Sequence, residues 1–310
     1  MVDRLRLPAA PRRGRPYTYS SAVMLKCGLV MVYHRLTSLR SLERFLSHHP
    51  EIAQACGVTE RIPSYRTFCR RFRTLEAPAW AAARQLIGTL ARRRWLRWGL
   101  LVIDGSLLAA KGRRPRLKPQ ARPATDPDAS WAYTPTDGWV WGYRLHGVTT
   151  TGAGLAPVAW RTTTATVHET TQVSPLVSQL PVWRGLRRAW LLGDGSYDSQ
   201  RLVDLCGTKR RRLLTPVFIR RGSVRTMSPA RQRRRRFAHS PQGRQLLRQR
   251  TAIERCWGQL KDVFLLDPLP VTRLWRVQTY VTLVIVAYLA ALAYNGSMRR
   301  GLRAIKSLIA

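Results

Sequence analysis

In 310 residues the chain carries 54 Lys and Arg against 16 Asp and Glu, a formal charge of +38. A compact fold with that charge repels itself unless a polyanion neutralises it, so nucleic acid is the expected partner, of either kind. Five scattered cysteines, none at CxxC spacing, exclude a zinc-thiolate centre or a disulfide frame, and the basic N-terminus lacks the apolar stretch of an export signal.

Residues 1–16, rich in Pro and Arg, are expected to be a mobile basic arm. Residues 17–36 are predicted to be a helix, and Thr37 or Ser38 caps the next, which runs through Leu46 and is stopped by Pro50. Ser64 is a plausible cap for YRTFCRRFRTL. There Tyr65, Phe68, Phe72 and Leu75 share one face while Arg66, Arg70, Arg71 and Arg73 occupy the others. Such a helix can read DNA or can simply be solvated. A further helix over 79–94 completes an all-α unit, 17–98.

Two later stretches, LLVIDGS ending at Ser106 and WLLGDGS ending at Ser196, each run from a buried-strand pattern into Asp-Gly-Ser. Asp104 and Asp194 are therefore placed at strand ends, where the glycine allows a sharp turn. Between them, the Pro-rich residues 111–138 are expected to be an exposed loop or an ordered crossing near the site, and their Asp126, Asp128 and Asp137 are rivals for any metal. Residues 139–151 and 156–167 read as a hairpin, and His168 and Glu169 open a helix to about Leu180. His146 and His168 are read as structural. Asp198 or Ser199 caps RLVDLC, which favours Asp194 over Asp198 as a ligand, and RRLLTPVFI is a further strand. Residues 220–245 are too charged to pack and are expected to be a mobile or DNA-ordered basic insertion.

The run 250–261, RTAIERCWGQLK, has helical periodicity. Arg250, Glu254 and Lys261 are four and then seven positions apart, so at about 100° per residue they share one face beside the apolar Ile253 and Leu260. Alone, this is equally a surface ion-pair ladder. With Asp104 and Asp194 it makes three hard-oxygen donors, which favour Mg²⁺ or Mn²⁺, two ions being the number suited to phosphoryl transfer. The closing run 277–295 is apolar but interrupted by Gln278, Thr279, Tyr280, Thr282, Tyr288 and Asn295. It is read as a core helix, not a membrane span.

Asp104, Asp194, then Arg250, Glu254 and Lys261 in this order and spacing resemble the DDE transposases of bacterial insertion sequences, in the group whose third motif reads Tyr, Arg, Glu, Lys. One position departs: Leu247 stands where that group has Tyr. The resemblance implies an α/β, ribonuclease H-like catalytic domain over 99–310, a mixed sheet flanked by helices, preceded by the helical DNA-binding unit. It implies Asp104, Asp194 and Glu254 as catalytic metal ligands. Arg250 and Lys261, with Arg66, Arg70, Arg71 and Arg73, would contact DNA. The partners implied are terminal inverted repeats and target DNA in the bacterial cytoplasm at the nucleoid, with room for a homodimer in the complex. A metal nuclease of the same fold, or a silent DNA-binding descendant, are the alternatives.

Overall fold

Polar caps and apolar stripes set the helical start of the chain. The computed structural model describes residues 2–8, 17–115, 125–135, 138–180, 189–219, 224 and 227–309. Helix α1 (Ser21–Tyr33) is capped by Ser20, and α2 (Leu39–His48) by a reciprocal Ser38–Ser41 capping box. Pro50, expected to stop α2, also opens the short α3 (Pro50–Ala55). Ser64 caps α4 as expected, but α4 runs unbroken over Tyr65–Arg92 with Pro78 inside. The two helices expected there are one because the stripe Phe68, Phe72, Leu75, Ala79, Ala82, Leu86 keeps its three-four spacing through the proline. That buried face offsets the roughly 3 kcal/mol a mid-helix proline costs.

Residues 2–8 are docked where a mobile arm was expected: Val2 is buried, Asp3 pairs with Lys26 at 2.7 Å, and the Arg6 amide donates to Gln85 Oε1 at 2.9 Å. Residues 9–16 of that arm lie outside the described residues.

The sheet is built from β1 (Arg97–Ala109), β2 (Ser130–Thr134), β3 (Gly138–Thr151), β4 (Pro157–Thr164), β5 (Trp190–Leu192) and β6 (Arg212–Leu214). Its order is β2-β3-β1-β5-β6, with β4 also paired to β3. β3 pairs antiparallel with β1, β2 and β4, and β5 and β6 add in parallel on the far side of β1. Helix α5 (Val173–Gln179) leads into β5, and α6 (Gln200–Thr208) links β5 to β6. This is the mixed, helix-flanked sheet of the ribonuclease H-like fold. Within 111–138, read as a loop or an ordered crossing, strand β2 was not expected; cross-strand aromatic pairs, Trp131 with Trp141 and Tyr133 with Trp139, zip it onto β3. Asp137 lies outside the described residues.

The basic insertion also differs from expectation. Most of it forms α7 (Pro229–His239) and α8 (Pro241–Arg248), each capped by a serine, Ser228 and Ser240, with proline at the first turn. Phe237 stacks on Trp190 with ring centroids 5.2 Å apart, and Asp198 holds Arg231 at 2.9 Å and Arg234 at 3.2 Å. One aromatic and one acid thus dock a helix that is otherwise too charged to pack. Residues 220–223 and 225–226 lie outside the described residues.

Helix α9 (Thr251–Gly258) continues through a π-helical turn, Gln259–Val263, and α10 (Leu274–Ser297) closes the fold. α10 is long and apolar enough to cross a membrane, but it is largely buried against α4, α1 and β4, as the polar interruptions predicted. Thr279 donates to the Phe72 carbonyl at 3.3 Å, and Trp160 of β4 stacks on Trp80 of α4 at 3.9 Å. One apolar cluster therefore runs from Met24 to Ile305, and residues 17–98 share their core with the sheet.

Candidate active site

Pairing of β1 with β5 sets Val102 opposite Leu192 on neighbouring parallel strands. Asp104 and Asp194 each lie two residues further on; Asp194 is just past the end of β5 as expected, but Asp104 is inside β1 and not at its end, because β3 stays paired with β1 through Gly105 to Ala109 and holds that glycine extended. Asp194 caps its own turn: Oδ1 accepts the Ser196 amide at 2.8 Å and the Ser196 hydroxyl at 2.5 Å. The Asp-Gly-Ser sequence is what fixes that carboxylate. Burial first, then the charges of Glu169 and Asp194, push the Asp104 carboxyl up to about 7, against the opposing Gly105 amide and Arg250.

Helix α9 is seated over this point by a missing side chain. Gly147 pairs with Asp104 across β1 and β3, and a Cβ there would come within 2.5 Å of the Trp257 ring. Trp257 and the fully buried Ile253 press α9 onto the sheet, which brings Glu254 and Arg250 to the rim. Glu254 is half-exposed, 49% accessible, and pairs with Arg250 Nη2 at 2.9 Å. Arg250 also bears on Asp104, where its charge opposes the upward push on the carboxyl. The structure thus brings Asp104 and Asp194 together and leaves Glu254 at the edge. Among the described residues, no three His, Cys, Asp or Glu side chains converge closely enough to hold a metal ion as they stand. The donor chemistry nevertheless fits a hard divalent cation: Asp104 and Asp194 are oxygen donors, and the Asp104 carboxyl is buried close to other acids.

Lys261, assigned to DNA, donates to the Leu107 carbonyl at 2.7 Å and pairs with Asp267 at 3.4 Å, tying the π-helical turn to β1 three residues beyond Asp104. On α4, Arg66, Arg70 and Arg73 are exposed. Arg71 departs from the expected outward face: it is 4% accessible, its guanidinium lies 3.7 Å from the Tyr17 ring centroid, and it reaches Ser21 Oγ at 3.5 Å. Cation–π stacking lets it share the apolar side with Phe68 and Phe72.

The rival carboxylates have other work. Asp126 accepts the Arg273 amide and Asp128 the Leu274 amide, so both hold the start of α10. Asp198, read as a helix cap, is the anchor of α7; its side chain is 3% accessible and Ser199 occupies the cap position of α6. Asp198→Asn is expected to speed amide exchange in 229–239 by more than about tenfold, because it removes the one carboxylate that pairs with both Arg231 and Arg234 at a buried position and leaves them only the neutral acceptors, the Phe218 carbonyl and Gln200 Oε1. Unchanged exchange there would assign the docking of α7 to the Phe237–Trp190 stack alone.

His146 is buried on β3 with Nε2 2.8 Å from Thr163 Oγ1, and His168 caps the turn ahead of α5. Burial, then Arg144, Arg161 and His168, push His146 down from 6.5 to about 3. A depressed folded value means the fold binds the neutral ring, so this stability is complete above about 6.5 and is lost as pH falls toward 3. Stability measured against pH should therefore flatten in His146→Asn; an unaltered slope would place the acid sensitivity elsewhere.

One acid was not singled out in the sequence. Glu169, the first residue of the turn before α5, lies against Gly105: a Cβ on that glycine would sit 2.8 Å from Glu169 Oε1. Its neighbours are Arg144, at 2.7 Å, and the Tyr197 hydroxyl, at 3.4 Å. The legible signal was only the glycine that follows Asp104.

Asp104 within β1 and Asp194 just past β5 thus stand on neighbouring parallel strands of a mixed, helix-flanked sheet of the ribonuclease H-like kind. The chain belongs to the transposase DDE domain family, which residues 99–290 match, and residues 3–74 match a second transposase domain, DUF772. No curated protein matches the chain. Among solved structures, a piggyBac transposase synaptic complex with hairpin DNA is similar at 10% identity and a TM-score of 0.49, over 96% of this chain and 71% of that one. A pre-cleavage Mos1 transpososome is similar at 14% identity and a TM-score of 0.24, over 89% and 79%. A Mos1 mariner paired-end complex with Mn gives 15%, 0.24, 92% and 81%.

Proposed function

We propose that this transposase cuts and joins DNA at the ends of a bacterial insertion sequence, with Asp104, Asp194 and Glu254 as the acids that hold Mg²⁺ or Mn²⁺. The observation that supports the reading is that Asp104, inside β1, and Asp194, just past the end of β5, each follow by two residues the paired positions Val102 and Leu192, beside a helix seated on Gly147. When bound, a pair of such ions about 4 Å apart would supply an activated nucleophile and charge for the leaving oxygen.

The chain's own residues do the rest. Ser196 locks Asp194 in one rotamer, so its carboxylate is pre-positioned. Arg250, paired with Glu254, would take a phosphate of the bound strand and so release Glu254 toward the inner acids. Lys261 secures the turn that carries them. Arg66, Arg70 and Arg73 on α4 give residues 17–98 an exposed cationic face for the terminal repeats, whereas Arg71 supports that face from inside. The division is thus one of role, 17–98 for end recognition and 99–310 for chemistry, across a shared core. A homodimer would pair the two ends, in the bacterial cytoplasm at the nucleoid. The third motif reads Arg, Glu, Lys with Leu247 in place of Tyr, so the contact a Tyr hydroxyl would make is absent.

The test is incubation of the full chain with DNA carrying the inverted repeats that flank its own gene, with Mg²⁺ or with chelator. Cuts mapping to the repeat ends only when metal is present support the reading. Cuts scattered over the DNA, or persisting in chelator, sink it.

A further inference from the structure

Strand β3 outruns its neighbours at its start. Its register with β1 begins at Gly142, opposite Ala109, and its register with β4 at Tyr143, opposite Thr164. Ahead of those points, residues 138–141 ladder with β2, and one bond from the Ala110 amide to the Trp141 carbonyl, 2.9 Å, steadies the base. The result is a two-stranded ribbon. Because β1 and β5 are parallel and β3 is antiparallel to β1, the ribbon leaves the sheet at the edge where Asp194 follows β5. Trp139 stands eight residues before Gly147, the partner of Asp104, so the tip lies roughly 27 Å along the strand from that acid.

The two faces of the ribbon differ. Ala132 and Val140 pack with Leu107 and Ala165 on one. Trp131 with Trp141, then Tyr133 with Trp139, form cross-strand pairs on the other. Toward the tip these rings are bare: Tyr133 is 57% accessible, and Trp139, at 65%, is the most exposed large apolar side chain among the described residues. A two-stranded ribbon is marginal by itself, and water-facing aromatics at its tip mark a surface that something covers. Elsewhere the chain covers rings with guanidinium groups, and arginines stack on Tyr17, Tyr65, Trp80, Trp190 and Trp275. Among the described residues no arginine stacks on Tyr133 or Trp139.

Charge decides what covers them. Residues 123–143 hold three Asp and no Lys or Arg, in a chain with 54 basic residues in 310. A surface built for phosphates carries cations, so the ribbon is not suited to DNA. A second copy of this +38 chain offers the complement: guanidinium groups, which aromatic faces attract. The ribbon is also a surface on which two such chains can touch without adding to their mutual repulsion. We propose that the β2–β3 ribbon is an interface between two copies of this chain, Tyr133 and Trp139 of each packing on an arginine-bearing surface of the other. The contact is reciprocal, as a two-fold pair requires. It rests on the reading that a homodimer pairs the two DNA ends, and bound DNA, by neutralising both chains, lets the ribbons engage.

The experiment measures the mass of the full chain by sedimentation, over a range of concentrations, with a short duplex carrying the terminal repeat. The parent should form a complex of two chains and two duplexes. Tyr133→Ser combined with Trp139→Ser should weaken that pairing by at least about tenfold, while one chain still binds one duplex with parental affinity and melts at the parental temperature. Where the combined variant melts early, Trp139→Arg alone decides, because it sets a cation against a cationic partner and should weaken pairing at least as much. Parental pairing in the deciding variant overturns the inference. Loss of single-duplex affinity in that variant also overturns it, by giving the ribbon to DNA. A parent that stays at one chain per duplex at every concentration overturns the homodimer reading itself, and the ribbon interface with it.

Discussion

Asp104→Asn, Asp194→Asn and Glu254→Gln are each expected to reduce metal-dependent DNA cleavage by about 10³-fold or more while changing DNA affinity by less than a few-fold. Each substitution keeps the side chain's size and polarity and removes one negative charge, so the loss falls on chemistry. Folding should tolerate all three. Asp104 is a strained charge where it stands, raised to about 7, and Glu254 forms only an exposed i, i+4 pair, worth about 0.3–0.5 kcal/mol. Asp128→Asn is the informative control, because Asp128 touches only the start of α10, and it should keep most of the activity. If Glu254→Gln cut at the parental rate while Asp128→Asn did not, α9 would revert to a surface ion-pair ladder.

Affinity for duplex DNA is expected to fall by about 10³-fold or more between 50 and 200 mM salt. The net charge of +38 is too large for a few contacts. Arg66, Arg70 and Arg73 on α4 and the arginines of α7 provide separate cationic faces, each able to displace condensed counterions. The slope of log affinity against log salt reports how many phosphates are engaged. A slope near zero would remove nucleic acid as the principal partner. Replacing Arg66, Arg70 and Arg73 together by Gln should shallow the slope, and Arg71→Gln should instead lower the melting temperature, because that guanidinium packs on Tyr17 inside the helical unit.

Both inner acids were legible from the run of large apolar residues before each Asp-Gly-Ser, but the expected turn forms only after Asp194, whereas pairing with β3 carries β1 straight through Gly105 and Ser106 to Ala109. The hairpin, the closing core helix and the order of elements followed from period and turn residues in the same way. What escaped depended on distant partners. Pro78 reads locally as a break, and only the continuous stripe packed on α10 overrides it. Arg71 reads as a surface cation until Tyr17, fifty-four positions earlier, supplies a ring. Asp198 reads as a cap because a cap is the local use of Asp before a helix, whereas its arginines lie on α7. Strand β2 is hidden among prolines and is revealed by its aromatic partners on β3. Glu169 carries no local signature at all: its place beside Asp104 is set by Gly105, by Arg144 and by the end of β5.

Joining is the most direct test, since it separates a transposase from a nuclease of the same fold. A short duplex ending in the element's terminal repeat with a free 3′ hydroxyl would be incubated with the full chain, Mg²⁺ and a supercoiled plasmid, and covalent joint molecules would be counted. The account predicts joint molecules with the parent chain, none in chelator, and none with Asp194→Asn although that variant still binds the duplex. Cleaved plasmid without joint molecules, or joint molecules made equally well by Asp194→Asn, would contradict it.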